Sequence, residues 1–387
     1  MTVLVPPIHE ASLFIAGRRV EAELAGVSAL NPATGERIGE SKCASAAQVA
    51  AALAAAERGQ GAWGAVLPRR RATVLRTIAA EIRRRAERIA GVMTLEIGKP
   101  IAEARGEVET AAEYFDWAAG EAERLHTHVA PGRIECNRFE VAQTPVGIVL
   151  ALAAWNFPVS LAARKLSMAL AAGCAVIVRP ADEAASCTLA LIECCHAAGL
   201  PEGAVGLLTG APEAVVEPLM AAPQVRKVSF TGSTRVGRLL MRQSAETLKR
   251  VTMELGGHAP FVVLPGADVK AAAAAALAGK FRNAGQVCTS PTRFLVHADL
   301  ADRFAEMFAE GADALRVGSG FEADVQMGPL ATRRQLDRVA GLVAETEKGG
   351  ARRLAGGAAD ANSGFFFRPT VFADVPLDAP AMREEPF

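Results

Sequence analysis

The sequence predicts an α/β protein: a parallel sheet covered by helices on both faces, followed by a second α/β unit. Between Pro145 and Leu255, short runs that are apolar on both sides alternate with helical runs, the pattern of strands buried between two helix layers. A second alternation begins near Val269 and continues to the last residue. Of 387 residues, 51% are hydrophobic and 22% charged, which supports a sizeable core and, at roughly 150 residues per domain, two or three domains.

In chain order, residues 68–97 open on Pro68 and carry Val74, Ile78, Ile82, Ile89 and Val92 at helical spacing. Arg69 to Arg71 and Arg83 to Arg85 fall mostly on the opposite, solvated faces. GEVETAAEYFDWAAGEAERL continues as another helix, and PGRIECNRFEVAQTPVG alternates like a hairpin. VGIVLAL, CAVIV, GAVGLLTG and VRKVSFTG read as strands. Between and after them lie the helices SLAARKLSMALAAG, closed by Gly173, CTLALIECCHAAG, closed by Gly199, and TRVGRLLMRQSAETL. APFVVL leads into the second unit, whose Ala-rich run is an ordinary helix.

Lys and Arg number 42, as do Asp and Glu, and a net charge of zero excludes a nucleic-acid or anionic-membrane partner held by bulk electrostatics. The seven cysteines (43, 136, 174, 187, 194, 195 and 288) are odd in number and lack a C-x-x-C pair, against both a disulfide framework and a metal site. A reducing, cytoplasmic setting is expected. The N-terminus has no basic region, and VGIVLALAAW is too short to span a bilayer, so a soluble protein acting on a small molecule is expected.

Several stretches carry candidate chemistry. FRNAGQVCTS sets Cys288 after a Gly-Gln pair, between a helical and a strand-like run, where a thiol is either a nucleophile or a small packing residue. FTGSTRVG joins a strand to a helix N-terminus through Gly232 and Gly237, an arrangement suited to a pyrophosphate and equally to a plain turn. Arg179 and Asp182 follow a strand end, where doubly wound sheets bind nucleotides, or else form an exposed turn. Glu254, before Gly256 and Gly257, is a general base or a surface charge. Asn156, between Trp155 and Phe157 at the end of VGIVLAL, donates to an oxyanion or caps the following helix.

WNFP, FTGSTRVG, MELGG, GQVC, MGPL and the terminal EEPF, in this order, resemble the aldehyde dehydrogenase superfamily from about residue 12 to the last residue. The resemblance implies a Rossmann-type NAD(P)-binding domain over residues 1–124 and 145–256, an oligomerisation hairpin over 125–144 and a catalytic domain over 257–387. It makes Cys288 the nucleophile, Glu254 the general base for deacylation, and Asn156 an oxyanion donor beside the Cys288 backbone N–H. Thiol attack on an aldehyde would expel hydride to the nicotinamide and leave a thioester that water hydrolyses. Trp155, Arg179, Asp182, Gly232, Ser233, Gly237, Leu255, Glu385 and Phe387 would line the cofactor.

Arg179 and Asp182 stand where the family commonly has Lys and Glu, and His258 where Lys is common. Arg179 favours a 2′-phosphate and Asp182 opposes it, so NAD is expected, with NADP the alternative. Arg164 and Arg282 match arginines of the NAD(P)-dependent succinate-semialdehyde dehydrogenase branch and suit a substrate with a distal carboxylate, or else pair with local acids. A homo-oligomer is the family's form. The chain stops at Phe387 inside EEPF, so a C-terminally truncated catalytic domain, with Phe365 to Phe367 exposed, is also expected.

Overall fold

The computed structural model describes residues 12–359 and 364–387. Its centre is a seven-stranded sheet in the order Arg250–Glu254, Val225–Thr231, Ile148–Leu152, Val176–Arg179, Val205–Leu207, Leu13–Ile15, Arg18–Val20. The first five of these run parallel. The last two form an antiparallel hairpin, added through Phe14 opposite Leu207. The sequence pattern did not reveal that hairpin, because strands of three residues show no period and this pairing spans most of the lobe.

Ile148–Leu152 shows how the sheet is held. All five residues are buried, and their side chains alternate between two cores. Val149 and Ala151 pack with the helices Pro68–Arg84, Ala86–Ile97, Ile101–Glu123, Pro158–Ala171 and Ala185–Ala197. Ile148, Leu150 and Leu152 face the other layer, which includes Ala46–Gly64 and Pro212–Ala221. From this central strand the chain moves outward to Val176–Arg179 and Val205–Leu207, then crosses back to Val225–Thr231 on the opposite side. The reversal lies between Ile148–Leu152 and Val225–Thr231, and a crevice outside the carboxyl ends of such strands is where this topology takes its ligands.

Two local expectations change. The helix over residues 68–97 breaks at Arg85 (φ −103°, ψ 11°) into Pro68–Arg84 and Ala86–Ile97. Arg71 is buried rather than solvated: its guanidinium donates to the carbonyls of Ala171 at 3.1 Å and Val66 at 2.8 Å, so it serves packing. The hairpin pairs His128–Pro131 with Arg138–Val141, so RIEC forms its turn; every residue of both strands is exposed.

The second lobe holds the parallel pair Ala259–Val263 and Pro291–Val296, covered by Val269–Phe281 and Ala298–Asp313. Phe261, Phe281, Phe294, Phe304 and Phe308 form its aromatic core. Arg352–Ala355 pairs antiparallel with Val371–Ala373. Phe365 and Phe367, expected at an exposed surface, are only 5% and 7% accessible, because they pack against Leu330 and Leu336. Among the described residues, no helix is long and apolar enough to cross a membrane, and no group of three His, Cys, Asp or Glu could hold a metal ion.

Candidate active site

The end of the central strand continues through Trp155 and Asn156 to Phe157, the N-cap of the helix Pro158–Ala171. Pro158 at the first helical position costs nothing there, since that N–H has no intrahelical partner. Asn156 is 3% accessible, and its side-chain amide donates to the Gln286 carbonyl at 3.1 Å. It therefore reaches into the loop that carries Cys288 and leaves one amide hydrogen for a further acceptor. It does not cap the helix; that task falls to Glu107, whose Oε1 accepts from the N–H groups of Val159 at 2.9 Å and Ser160 at 3.0 Å.

Cys288 follows the short 3₁₀ turn Arg282–Gly285, in which Asn283 (φ 50°) and Ala284 (φ 55°) are left-handed. Strain of this kind, at an Ala in particular, persists where the surroundings over-determine it. The thiol is half-buried, whereas Cys43, Cys174, Cys187, Cys194 and Cys195 are buried and Cys136 lies exposed in the hairpin. Burial pushes the Cys288 thiol above its ordinary value, the Glu385 and then the Glu254 carboxylates push it further, and the backbone N–H groups of Cys288 and Thr289 oppose this. Those N–H groups face the sulfur and are placed to serve an oxygen bonded next to it.

Glu254 ends the strand Arg250–Glu254 at its exposed carboxyl end. Beyond it, the absence of side chains at two glycines lets three segments converge. A Cβ on Gly256 would lie 2.1 Å from Glu385 Oε2, and one on Gly257 would lie 2.8 Å from the Cys288 carbonyl oxygen. Glu385 is pushed upward by burial and drawn down by the Gly257 N–H. The terminal segment is pinned by Arg338, which donates to the carbonyls of Glu385 at 2.8 Å and Phe387 at 2.9 Å. The Phe387 ring meets Trp155 edge-on at 5.5 Å.

The dinucleotide candidates lie around the strand reversal, at different distances from the thiol. Ser233 caps the twelve-residue helix Thr234–Ala245 through Val236 N–H, at 3.4 Å, and this N-terminus is exposed outside the strand Val225–Thr231. Gly232 and Gly237 are there for close packing: a Cβ would meet the Phe230 ring at 2.5 Å and Leu255 at 2.6 Å respectively. Arg179 and Asp182 do come together, but with each other, in an ion pair of 2.8 Å. Arg179 also donates to the Gly210 carbonyl at 2.9 Å, and Ser41 to Asp182 at 3.3 Å.

Among the described residues, neither Arg164 nor Arg282 forms an ion pair with a carboxylate; both lie over rings. Arg282 sits over Phe157 at 5.1 Å and Arg164 over Tyr114 at 5.9 Å. Both are exposed: Arg164 lies in the middle of the helix Pro158–Ala171, about two turns past its N-cap Phe157, over whose ring Arg282 reaches from the turn Arg282–Gly285. Sequence reasoning missed Lys165, buried beside Thr231 Oγ1 at 2.7 Å and pushed down to about 8 by burial. It also missed the buried Lys99–Glu107 ion pair behind Asn156. Only the four- and eight-residue spacing from Lys99 to Glu103 and Glu107 hinted at a shared helix face.

Residues 20–387 match the sequence profile described as the aldehyde dehydrogenase family. The 4-(hydroxymethyl)benzenesulfonate dehydrogenase of Comamonas testosteroni is 45% identical over 357 residues, 92% of this chain and 74% of that protein. The NADP(+) succinate-semialdehyde dehydrogenase of Escherichia coli (strain K12) is 40% identical over 361 residues, 93% of this chain and 75% of that one. Among solved structures, succinate-semialdehyde dehydrogenase from Burkholderia pseudomallei superposes with a TM-score of 0.95 at 38% identity, covering 97% of this chain and 78% of that chain.

Proposed function

Because the chain belongs to the aldehyde dehydrogenase family, we propose that it oxidises an aldehyde carrying a distal anionic group, such as succinate semialdehyde, to the acid through Cys288. The observation that supports the reading is that the Asn156 amide donates to the Gln286 carbonyl, two residues before the half-buried Cys288 thiol, on which the Glu254 carboxylate acts through charge. Once its proton has passed to solvent, the Cys288 sulfur attacks the aldehyde carbon, and the carbonyl π pair moves to oxygen. Asn156 and the Cys288 N–H receive that oxyanion. Glu254, exposed and with no side-chain hydrogen bond to displace among the described residues, takes a proton from the water that hydrolyses the thioester.

A nicotinamide dinucleotide, when bound, supplies the hydride acceptor. The residues present fit it: the exposed N-terminus of Thr234–Ala245 suits its phosphates, while Trp155, Leu255, Glu385 and Phe387 close the crevice. We place NAD ahead of NADP, since Asp182 already neutralises the Arg179 guanidinium that a 2′-phosphate needs. On this reading residues 1–124 and 145–256 bind the cofactor and 257–387 carry the nucleophile. The exposed hairpin, residues 125–144, serves assembly.

The distal anion rests on Arg164 and Arg282, which lie over rings and keep their donors for a ligand. The names of two relatives agree, succinate semialdehyde and 4-(hydroxymethyl)benzenesulfonate each having an anionic group opposite the reacting carbon. Assaying the purified chain with succinate semialdehyde, a neutral aldehyde of equal length and both cofactors tests the proposal. Preference for the anionic aldehyde is expected; equal kcat/KM on both aldehydes would overturn the substrate class, and no NAD(P)H from either would overturn the activity.

A further inference from the structure

The carbonyl oxygen of Asn156 is held from two sides: it accepts from Lys99 Nζ at 3.0 Å and from Asn283 Nδ2 at 2.9 Å. A carbonyl has two acceptor positions, so this one is filled. The side chain of Asn156 and that of Asn283 also share an acceptor, the Gln286 carbonyl, at 3.1 and 3.3 Å. Gln286 is fixed in turn, donating to the Asn283 carbonyl at 2.9 Å and accepting from Ala331 N–H at 3.0 Å. The same Lys99 is ion-paired with Glu107 and lies 4.1 Å from the centre of the Phe157 ring. Glu107 holds the backbone N–H groups of residues 159 and 160.

None of this is an economical way to stabilise a fold. The Lys99 and Glu107 side chains are 0% and 2% accessible, and a buried ion pair is often no better for stability than apolar residues of the same volume. Asn283 is 1% accessible and adopts φ 50° and ψ 39°, a conformation that Asn tolerates and most residues resist. Five bonds of the cluster end on the Asn156 carbonyl, on the first turn of its helix, or on the Gln286 carbonyl two residues before Cys288, and a sixth joins Asn156 to that same carbonyl. A half-ångström error in an oxyanion donor matters to catalysis far more than to folding.

We propose that Asn283 and Lys99 are positioning residues for the oxyanion donor: together they lock the Asn156 backbone and its amide plane so that the amide hydrogen not given to Gln286 meets the oxygen formed at Cys288. This rests on the roles given above to Cys288 and Asn156. The step concerned is addition alone: the S–H bond breaks with its proton passing to solvent, a C–S bond forms, the carbonyl π pair becomes the oxyanion, and no electron leaves the adduct. It can therefore be read without cofactor.

The test uses the whole chain, with propanal as the aldehyde and iodoacetamide as the competing thiol reagent, following alkylation of the Cys288 peptide by mass spectrometry. In the wild type, propanal is expected to slow alkylation. Asn283→Gly, which accepts the left-handed backbone while deleting the amide, should weaken that protection roughly tenfold, within the range for a misplaced catalytic group. Lys99→Met, which removes the other donor, should do so in parallel. Placed on Asn156→Ala, neither change should cost anything more, because a positioning residue acts through the group it positions.

Wild-type protection in both single variants would overturn the proposal, as would a further loss in the Asn156→Ala background, which a merely structural role produces. A wild-type chain whose Cys288 propanal leaves unprotected would overturn the nucleophile assignment itself, and this inference with it. Thermal melts of each variant separate these outcomes from unfolding.

Discussion

Two sets of side chains around the helix Pro158–Ala171 are built by opposite rules. Before and beneath its first turn, Asn156, Lys99 and Glu107 are buried and tied together by hydrogen bonds, with one Asn156 amide hydrogen left over. On the exposed side, Arg164, in the middle of the helix, rests on a tyrosine ring, and Arg282 rests on the ring of the N-cap residue Phe157. On the proposed reading, the first set faces the bond that every aldehyde substrate shares, so rigidity costs it no generality. The second would face the part that differs between substrates, where a guanidinium on an aromatic platform keeps its donors and some freedom of approach. Chemistry is thus assigned, on that reading, to a buried network and choice to an exposed rim.

The sharpest way to break this division is to remove the thiol. Cys288→Ala should abolish dehydrogenase turnover on anionic and neutral aldehydes alike, while NAD binding, followed by fluorescence titration, survives. Turnover near that of the wild type would dissolve the distinction, since the chemistry would lie elsewhere.

The rim should respond selectively. Arg164→Ala or Arg282→Ala is expected to lower kcat/KM for succinate semialdehyde by roughly 30-fold, the scale of one charge-assisted hydrogen bond, and to affect a neutral aldehyde of equal length far less. Parallel losses on both substrates would make the arginines structural.

A smaller effect concerns the thiol's titration. Glu385 and then Glu254 raise the Cys288 pKa, so removing either negative charge must lower it and bring the thiolate in at lower pH. The iodoacetamide rate profile should move toward acid in Glu385→Gln, and by less in Glu254→Gln. A move toward alkaline pH, or the reverse order, would show that these carboxylates do not act on the thiol through charge.

How far the sequence showed all this differs between the same regions. Four of the five parallel strands were legible because strands buried on both faces must be apolar throughout. Arg250–Glu254, half-exposed at the sheet edge, was not, so Glu254 read as the start of a strand rather than its end, while the short motifs put Cys288 in a loop and Asn156 at a strand end. Lys99 and Glu107 were not legible. In a sequence a lysine and a glutamate eight apart look like solvated charges, and only tertiary packing brings them together beneath Asn156. Asn283 was hidden for a related reason: its left-handed turn follows from contacts with Glu103 and Gln286, not from local propensity. Phe365 and Phe367 were judged by their place near the chain's end, whereas their burial depends on Leu330 and Leu336.

The central claim is that oxidation passes through an acyl group on Cys288 that Glu254 helps water to remove. Mixing Glu254→Gln rapidly with succinate semialdehyde and NAD, then quenching for mass spectrometry, tests it most directly. One burst of NADH is predicted, followed by a stall, with a succinyl adduct on the Cys288 peptide in proportion to the burst. Steady turnover without an adduct, or loss of the burst together with turnover, would contradict the account.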